Sequence, residues 1–154
     1  METSSTVELL EAPRLRLIEI GLNDLPHVWG HIEPLLRKAC EVSEGEFTLA
    51  GVLHNLGVND GVEAWRLLAI EDGERVKAVM AVCITQRGDG SRSLDCLLAS
   101  GDHAKEWPQV DDDFDAYAKR FGCSRVRIPR ARKGWLRTLP HWRISGYFLE
   151  RMLK

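Results

Sequence analysis

The sequence predicts one α/β domain in which a mixed, largely antiparallel sheet is flanked by helices, in the order β-α-α-β-β-β-α-β-α-β. The chain has 154 residues, which fits a single domain with its own core. Segments that alternate apolar and polar side chains are interspersed with segments of helical apolar spacing. Glycine- and proline-containing turns separate them. Residues 1–12 show neither period and are predicted to form an arm ahead of a domain spanning 13–154.

The first part of this domain is predicted to contain one strand and two helices. Residues 14–20 alternate as in a strand. Apolar side chains then recur at helical spacing over 25–40, where Pro34 is expected to kink the helix or split it in two. Thr48 is placed to cap a second helix, which ends near Gly57.

Three antiparallel strands are predicted next. They cover 65–70, 75–85 and 93–99, and the turn signals at 71–73 and 87–90 separate them. Two hairpins in series give a three-stranded antiparallel meander.

The remainder of the chain is predicted to alternate helices and strands. A helix opens at Pro108 and is closed by Gly122. A strand over 124–128, a short helix over 133–139 and a terminal strand over 143–153 follow.

Composition excludes several classes of protein. Apolar residues make up 44% of the chain and charged residues 29%, as in ordinary soluble globular domains. The longest apolar run, 78–84, is far too short to cross a bilayer, and the first residues lack the basic and apolar regions of a signal peptide. The cysteines form no C-x-x-C pair, so neither a zinc ribbon nor a disulfide framework is indicated. We therefore expect a cytoplasmic protein without membrane contact.

The C-terminal half carries a local signature of a known fold. Residues 116–123 end in the pattern A-x-x-x-G-C, and the strand 126–128 follows. The pair Gly134-Trp135 and the segment 139–142 then stand where a last helix and a G-F turn are expected. In these motifs and in its element order, the chain resembles the GNAT (N-acetyltransferase) superfamily. The resemblance implies a sheet that opens between its fourth and fifth strands to admit the pantetheine arm of acetyl-CoA.

The same resemblance assigns the cofactor's pyrophosphate to the loop before the helix at 108–122. The family forms this site with an R/Q-x-x-G-x-G/A loop, whose glycines allow phosphate to approach the backbone. The corresponding loop offers Gly101 alone, and Asp102 and Glu106 would repel pyrophosphate. The residues that would hold a cofactor here are Ser100, Gly101, Asp102, His103 and Lys105. We therefore expect no cofactor, or acetyl-CoA if the protein is catalytic.

The catalytic groups that the resemblance implies are incomplete. Asp95, in the fourth strand, is the candidate general base if it faces the cleft; the alternative is a solvent-facing residue of an alternating strand. If Trp142 occupies the phenylalanine position of the G-F turn, Arg137 stands where the family has its tyrosine acid. Arginine stays protonated and cannot serve as that acid. Tyr147 is the nearest other tyrosine, within the predicted terminal strand.

Other chemistry is poorly indicated. His27 and His31 stand four residues apart on a predicted helix, but no Glu follows His27 as in H-E-x-x-H and no third ligand is evident. No serine or cysteine lies in a nucleophile motif. The sequence therefore predicts no metal site.

The charge distribution suggests a different function. The segment 119–143 carries nine basic residues and no acid, whereas an acidic cluster occupies 111–115. This asymmetry could mark a surface for phosphates, nucleic acid or an acidic protein, or it could be neutralised within the fold. Tryptophan and arginine are frequent anchors of protein interfaces and also suit single-stranded nucleic acid. The candidate partner-binding residues are Arg130, Arg132, Lys133, Trp135, Arg137 and Trp142.

Two functions follow from these observations. The first is a non-catalytic GNAT-like protein that binds a protein partner or a second copy of itself, with nucleic acid as another possible partner. Small GNAT-like proteins of bacteriophages include virion components, so the resemblance also implies a possible place in a phage particle. The second is an acetyl-CoA-dependent N-acyltransferase with an atypical pyrophosphate loop and an amine as acceptor.

Overall fold

A computed structural model describes most of the chain. The described residues are 14–58, 63–102, 104–131, 135–139, 141–146 and 149–153. The predicted arm over 1–12 lies outside them, as do His103, Arg132, Lys133 and Tyr147.

A five-stranded sheet forms the centre of the molecule. Its strands are β1 (Arg16–Ile20), β2 (Trp65–Glu71), β3 (Val76–Gln86), β4 (Arg92–Gly101) and β5 (Arg125–Arg127). They lie in sequence order, and every neighbouring pair is antiparallel except β4 and β5, which are parallel. This arrangement confirms the predicted fold class, a mixed and largely antiparallel sheet flanked by helices.

Four α-helices accompany the sheet in the described chain. They are α1 (Leu25–Glu41), α2 (Leu49–Val58), α3 (Asp111–Arg120) and α4 (Trp135–Thr138). The Thr48 hydroxyl accepts a hydrogen bond of 3.1 Å from the Gly51 backbone N–H, so the predicted cap of α2 is confirmed. No helix in the described ranges is long and apolar enough to cross a membrane.

Helices cover both faces of the sheet, which explains the near-continuous apolar sequence of its central strands. On β2, Leu68 and Ile70 belong to the core beneath α3, whereas Leu67 packs in the core beneath α1 and α2. Ile32 of α1 and Val79 of β3 lie in that second core. A strand buried on both faces loses the apolar–polar alternation of a half-exposed strand.

Two helix predictions need correction. The helix predicted to open at Pro108 starts as an α-helix only at Asp111, because a 3-10 segment, Ala104–Val110, precedes it. Pro34 does not split α1, which continues through it as one helix of 17 residues. The missing N–H of Pro34 removes one bond of the helix, and the packing of α1 against the sheet compensates.

The predicted terminal strand over 143–153 is wrong for the part of that segment that the structure describes. Residues 143–146 and 149–153 adopt no strand conformation. A strand requires a neighbouring edge of comparable length, but β5 is only three residues long. Pro129 follows soon after β5 and has no N–H to donate to a ladder. The alternating pattern therefore lacks a partner within the sheet.

Gly101 is required by the close approach of β4 to β3. A Cβ atom built on Gly101 would lie 2.4 Å from the Ala78 Cβ and 2.4 Å from the Lys77 carbonyl oxygen. Real side chains do not approach so closely, so even alanine must displace backbone here. This glycine therefore serves strand packing.

We predict that Gly101→Ala lowers the free energy of unfolding by about 1–3 kcal/mol, the usual cost of overpacking. Gly30→Ala is the matched control, because Gly30 lies within α1 and a Cβ there meets nothing within 4 Å. The control should raise stability by roughly 0.5–1 kcal/mol. Urea denaturation of both variants checks this expectation, and equal midpoints would contradict it.

Candidate functional site

The sheet opens between β4 and β5. β5 pairs with β4 only at Ser93, Leu94 and Asp95, whereas β4 continues to Gly101. Beyond Asp95 the two strands separate, and a cleft lies beside Cys96–Ala99. Its volume is about 800 Å³, which includes the open space at its mouth. The loop between α1 and α2 forms one wall of this cleft, and the chain that follows β5 forms the other. Its lining includes Val42, Glu46, Phe47, Leu97, Leu98, Ile128, Arg130 and Trp135.

A β-bulge lies in the wall of this cleft. Ala81 of β3 opposes Leu98 and Val82 opposes Cys96, so Leu97 has no partner residue on β3. A bulge bends its strand and is common next to functional sites. Here Leu97, the residue at the bulge, is one of those that line the cleft.

A bidentate ion pair with Arg127 holds Asp95 where β4 and β5 last pair, one residue before Cys96 of the cleft lining. Its Oδ1 accepts hydrogen bonds from Arg127 Nε at 2.8 Å and Ser93 Oγ at 2.9 Å. Its Oδ2 accepts from Arg127 Nη2 at 2.6 Å and Thr85 Oγ1 at 2.9 Å. Asp95 is only 4% exposed, so the alternative of a solvent-facing residue is wrong. The sheet is covered on both faces, and strand alternation therefore does not predict exposure here.

These contacts define the charge state of Asp95. Burial raises the pKa of this carboxyl, but hydrogen bonds from Arg127, Ser93 and Thr85 outweigh burial and bring the pKa below its ordinary value. A carboxylate offers about four acceptor sites, and four donors occupy them here. The Asp95 side chain joins β3, β4 and β5 electrostatically and has no acceptor site left for a substrate proton.

Two of the residues that the resemblance assigns to pyrophosphate, Ser100 and Gly101, belong to β4, and Lys105 belongs to the 3-10 segment. Ser100 is buried, and Gly101 is the last residue of β4. The Asp102 backbone N–H donates to the Lys77 carbonyl at 2.9 Å, and the Asp102 carbonyl accepts from Trp107 Nε1 at 3.1 Å. These bonds connect Asp102 to β3 and to the 3-10 segment. Lys105 is exposed.

The N-terminus of α3 is acidic. Asp111, Asp112 and Asp113 form its first turn, so three carboxylates lie where the helix dipole would otherwise favour an anionic ligand. Asp113 Oδ2 accepts the Leu17 backbone N–H at 3.1 Å. Burial raises the pKa of Asp111, the neighbouring Asp115 raises it further, and a hydrogen bond from Trp142 opposes both.

The candidate tryptophans make contacts within the fold. Trp135 of α4 packs against the buried Trp107, with ring centroids 5.0 Å apart. Trp142 is half-buried and donates to Asp111. These two rings connect the chain after β5 to the region before α3.

The basic segment is partly neutralised within the fold and partly exposed. Arg127 pairs with Asp95, and Arg130 pairs with Glu46 on the opposite wall of the cleft. Arg137, by contrast, lies exposed on α4. Part of the basic segment is therefore neutralised within the fold, and part of it is exposed at the surface.

The described residues show no metal or thiolate chemistry. His27 and His31 are exposed on α1, and no group of three His, Cys, Asp or Glu side chains within the described ranges could hold a metal ion. Burial raises the pKa of each cysteine, to about 12 for Cys96, so these thiols are protonated at neutral pH.

Sequence reasoning missed three residues of the site: Leu97, Glu46 and Arg127. In the sequence Arg127 is one of nine basic residues over 119–143, and its pairing with Asp95 depends on the parallel register of β4 and β5. That register joins residues 32 positions apart, and no local spacing encodes it. The signal in the sequence was Asp95 itself, an aspartate within an apolar strand, because a carboxylate that is buried there needs a cationic partner.

Several solved structures with similar folds are acetyltransferases. A ribosomal-protein-alanine N-acetyltransferase from Brucella melitensis biovar Abortus 2308 matches with TM-score 0.63 and 12% identity, over 92% of this chain and 99% of that one. An aminoglycoside acetyltransferase from an uncultured soil metagenomic sample, in complex with sisomicin, matches with TM-score 0.60 and 14% identity, over 91% and 97%. A transcriptional regulator from Bacillus halodurans C-125 matches with TM-score 0.62 and 16% identity, over 90% and 99%.

These likenesses establish the fold. The chain has a GNAT-like α/β fold that spans nearly the whole length of these structures. No protein-family model matches its sequence, and no curated protein matches it either. Sequence identity this low leaves activity and substrate to be argued from the site itself.

We predict that Asp95→Asn destabilises the protein by roughly 2–3 kcal/mol at pH 7, below the cost for a fully buried pair because solvent reaches Arg127. Because the pKa of Asp95 is lowered in the folded protein, its carboxylate stabilises the fold at pH values above the ordinary pKa of 3.8. This contribution is lost as pH falls through the pKa of the folded state. The difference between the variant and the unmodified protein should therefore shrink below pH ~4.

Thermal unfolding between pH 3 and 8 measures this difference. Asp115→Asn, at an exposed position of α3, controls for the loss of one carboxylate. A pH-independent difference for Asp95→Asn would show that the ion pair is not its source.

Proposed function

We propose that this chain is a binding protein with a GNAT-like fold, which associates with a protein partner and does not perform acetyl-CoA-dependent transfer. The observation that carries this proposal is the acidic first turn of α3, formed by Asp111, Asp112 and Asp113. A pyrophosphate at this helix end would lie next to three carboxylates. Like charges at such short range oppose binding more strongly than the helix dipole favours it.

The backbone around this position supports the same proposal. A pyrophosphate site requires several backbone N–H groups that converge on the ligand. Gly101 is packed against β3, and the Asp102 N–H is already bonded to the Lys77 carbonyl. These groups are committed to the sheet.

The acid–base groups of a transferase are also poorly placed. Asp95 has its acceptor sites filled by Arg127, Ser93 and Thr85, so it is unsuited to take a proton from an amine. Tyr117 lies in the core beneath α3, where burial raises the pKa of its hydroxyl. These two residues support the packing of the domain.

The partner surface that we propose is carried by the exposed arginines near the C-terminus. Arg137, Arg143 and Arg151 are exposed, whereas Trp135 and Trp142 contact the domain itself. The tryptophans would then position the surface and the arginines would contact an acidic protein partner. A place in a phage particle stays a prediction of the family resemblance.

A second candidate function is N-acyl transfer. The opening between β4 and β5, with the bulge at Leu97, is the observation that favours it. Two of the similar structures are named for acetylation of amine-bearing acceptors, an aminoglycoside and the alanine of a ribosomal protein. An amine would accordingly be the acceptor.

Isothermal titration with acetyl-CoA distinguishes the two candidates. We expect no binding at millimolar ligand, because the carboxylates at the start of α3 repel the pyrophosphate. Binding in the micromolar range would overturn the proposed function and favour the second candidate.

A double variant tests whether repulsion by carboxylates is the reason that acetyl-CoA does not bind. Asp102 and Asp112 are exposed, so Asp102→Asn combined with Asp112→Asn removes two charges from the region without loss of packing. We expect the association constant for acetyl-CoA to rise by up to about tenfold, into the measurable range. Asp89→Asn is the control and should leave the constant unchanged, because Asp89 is exposed in the turn between β3 and β4, at the end of these strands opposite Gly101. An unchanged constant in the double variant would show that repulsion is not the cause.

A further inference from the structure

The C-terminal segment carries large apolar side chains in solvent. Leu149 is 91% exposed, Met152 80% and Leu153 84%. Ile144, earlier in the same stretch, is 54% exposed. A concentration of this kind is typical of an interaction site, since single scattered apolar residues are the ordinary case.

This segment lies beside the cleft between β4 and β5. Glu150 reaches to 4.0 Å from Arg130, which pairs with Glu46 across the cleft. The apolar side chains of the tail, here defined as residues 149–153, are thus held close to an opening whose walls are also apolar. Val42, Phe47 and Leu97 are among the residues that form those walls.

The charges of the tail and of the cleft rim are complementary. The tail carries Glu150 next to Arg151, and the rim carries Arg130 close to Glu44 and Glu46. Within one chain Glu150 lies 4.0 Å from Arg130, and a docked tail from a second copy would bring its own Glu150 to this arginine in place of that contact and its Arg151 towards the rim glutamates. Complementary charges of this kind favour one orientation of the docked segment.

The cleft also offers a backbone edge. Beyond Asp95, the side of β4 that faces the cleft is not paired with β5. An extended segment laid along this edge can form main-chain hydrogen bonds and place alternate side chains in the cleft. The tail has no secondary structure of its own in the described chain, so it can adopt this conformation.

We propose that the tail of one copy of this protein docks in the cleft of a second copy, and that the exchange is reciprocal and forms a twofold dimer. Within one chain, the tail lies beside its own cleft with its apolar side chains in solvent. In a twofold dimer each copy supplies one tail and one cleft, so two tail–cleft contacts form and both tails are buried. This inference rests on the proposed binding function, because a docked tail and a cofactor in the cleft exclude each other.

Sedimentation equilibrium tests the dimer with a tail variant. In Leu149→Ser/Met152→Ser/Leu153→Ser the changed side chains are exposed, so the variant folds like the unmodified protein. We expect a micromolar dimer for the unmodified protein and a dissociation constant at least about tenfold higher for the variant. Leu22→Ser, at an exposed apolar position before α1, is the control and should leave the constant unchanged. A monomeric unmodified protein, or an unaffected tail variant, would overturn the proposal.

Mixing two variants shows what the tail binds. Val42→Lys places a charge on the cleft rim, and a cation at the end of α1 is compatible with the helix dipole. Val42→Lys keeps its tail and the serine variant keeps its cleft, so a mixture can form one intact tail–cleft junction. We expect the mixture to form a heterodimer with a lower dissociation constant than either variant shows for its own self-association. If the tails paired with each other, mixing would restore nothing, and the proposal would fail.

Titration of the same proteins with acetyl-CoA separates this inference from the proposed function. A monomer that does not bind acetyl-CoA would contradict the dimer alone. Micromolar binding of acetyl-CoA by the unmodified protein would contradict the proposed function itself.

Discussion

The ion pair between Asp95 and Arg127 is the interaction on which the geometry of the site depends. It holds β5 against β4 at the only three positions where these strands pair, and Thr85 and Ser93 complete the coordination of the carboxylate. Because β5 is only three residues long, it forms few backbone hydrogen bonds with β4, and side-chain contacts must supply the stabilisation that a longer strand pair would have. The pairing therefore determines where the sheet closes and where the cleft begins.

Charged side chains are concentrated at the start of α3 and in the chain that follows it. The acids at the start of α3 occupy the position where a helix N-terminus is best suited to bind an anion. Two arginines after α3 are used internally, since Arg127 binds Asp95 and Arg130 binds Glu46. The chain combines a GNAT-like fold with carboxylates at the start of α3, and this is the combination from which we propose a protein-binding function.

Much of the fold could be predicted from local sequence features. Alternation and turn residues located the meander of β2, β3 and β4, and Thr48 and Gly122 marked helix ends that the structure confirms. The terminal strand was mispredicted because alternation shows only that a segment could form a strand. Whether it does so depends on an available strand edge. β5 is three residues long, and Pro129, which has no N–H to donate, follows it closely, so β5 offers little edge for a further strand.

By itself, the sequence determined the order and type of most elements and the acidic character of the region before α3, because periodicity, caps and charge runs are local properties. Only the tertiary structure decided that Asp95 is a buried ion-pair partner, that Gly101 belongs to strand packing and that the sheet opens beside Leu97. Each of these depends on strand register between residues far apart in the chain. Such register results from the packing of the whole domain and leaves no signature in any single segment.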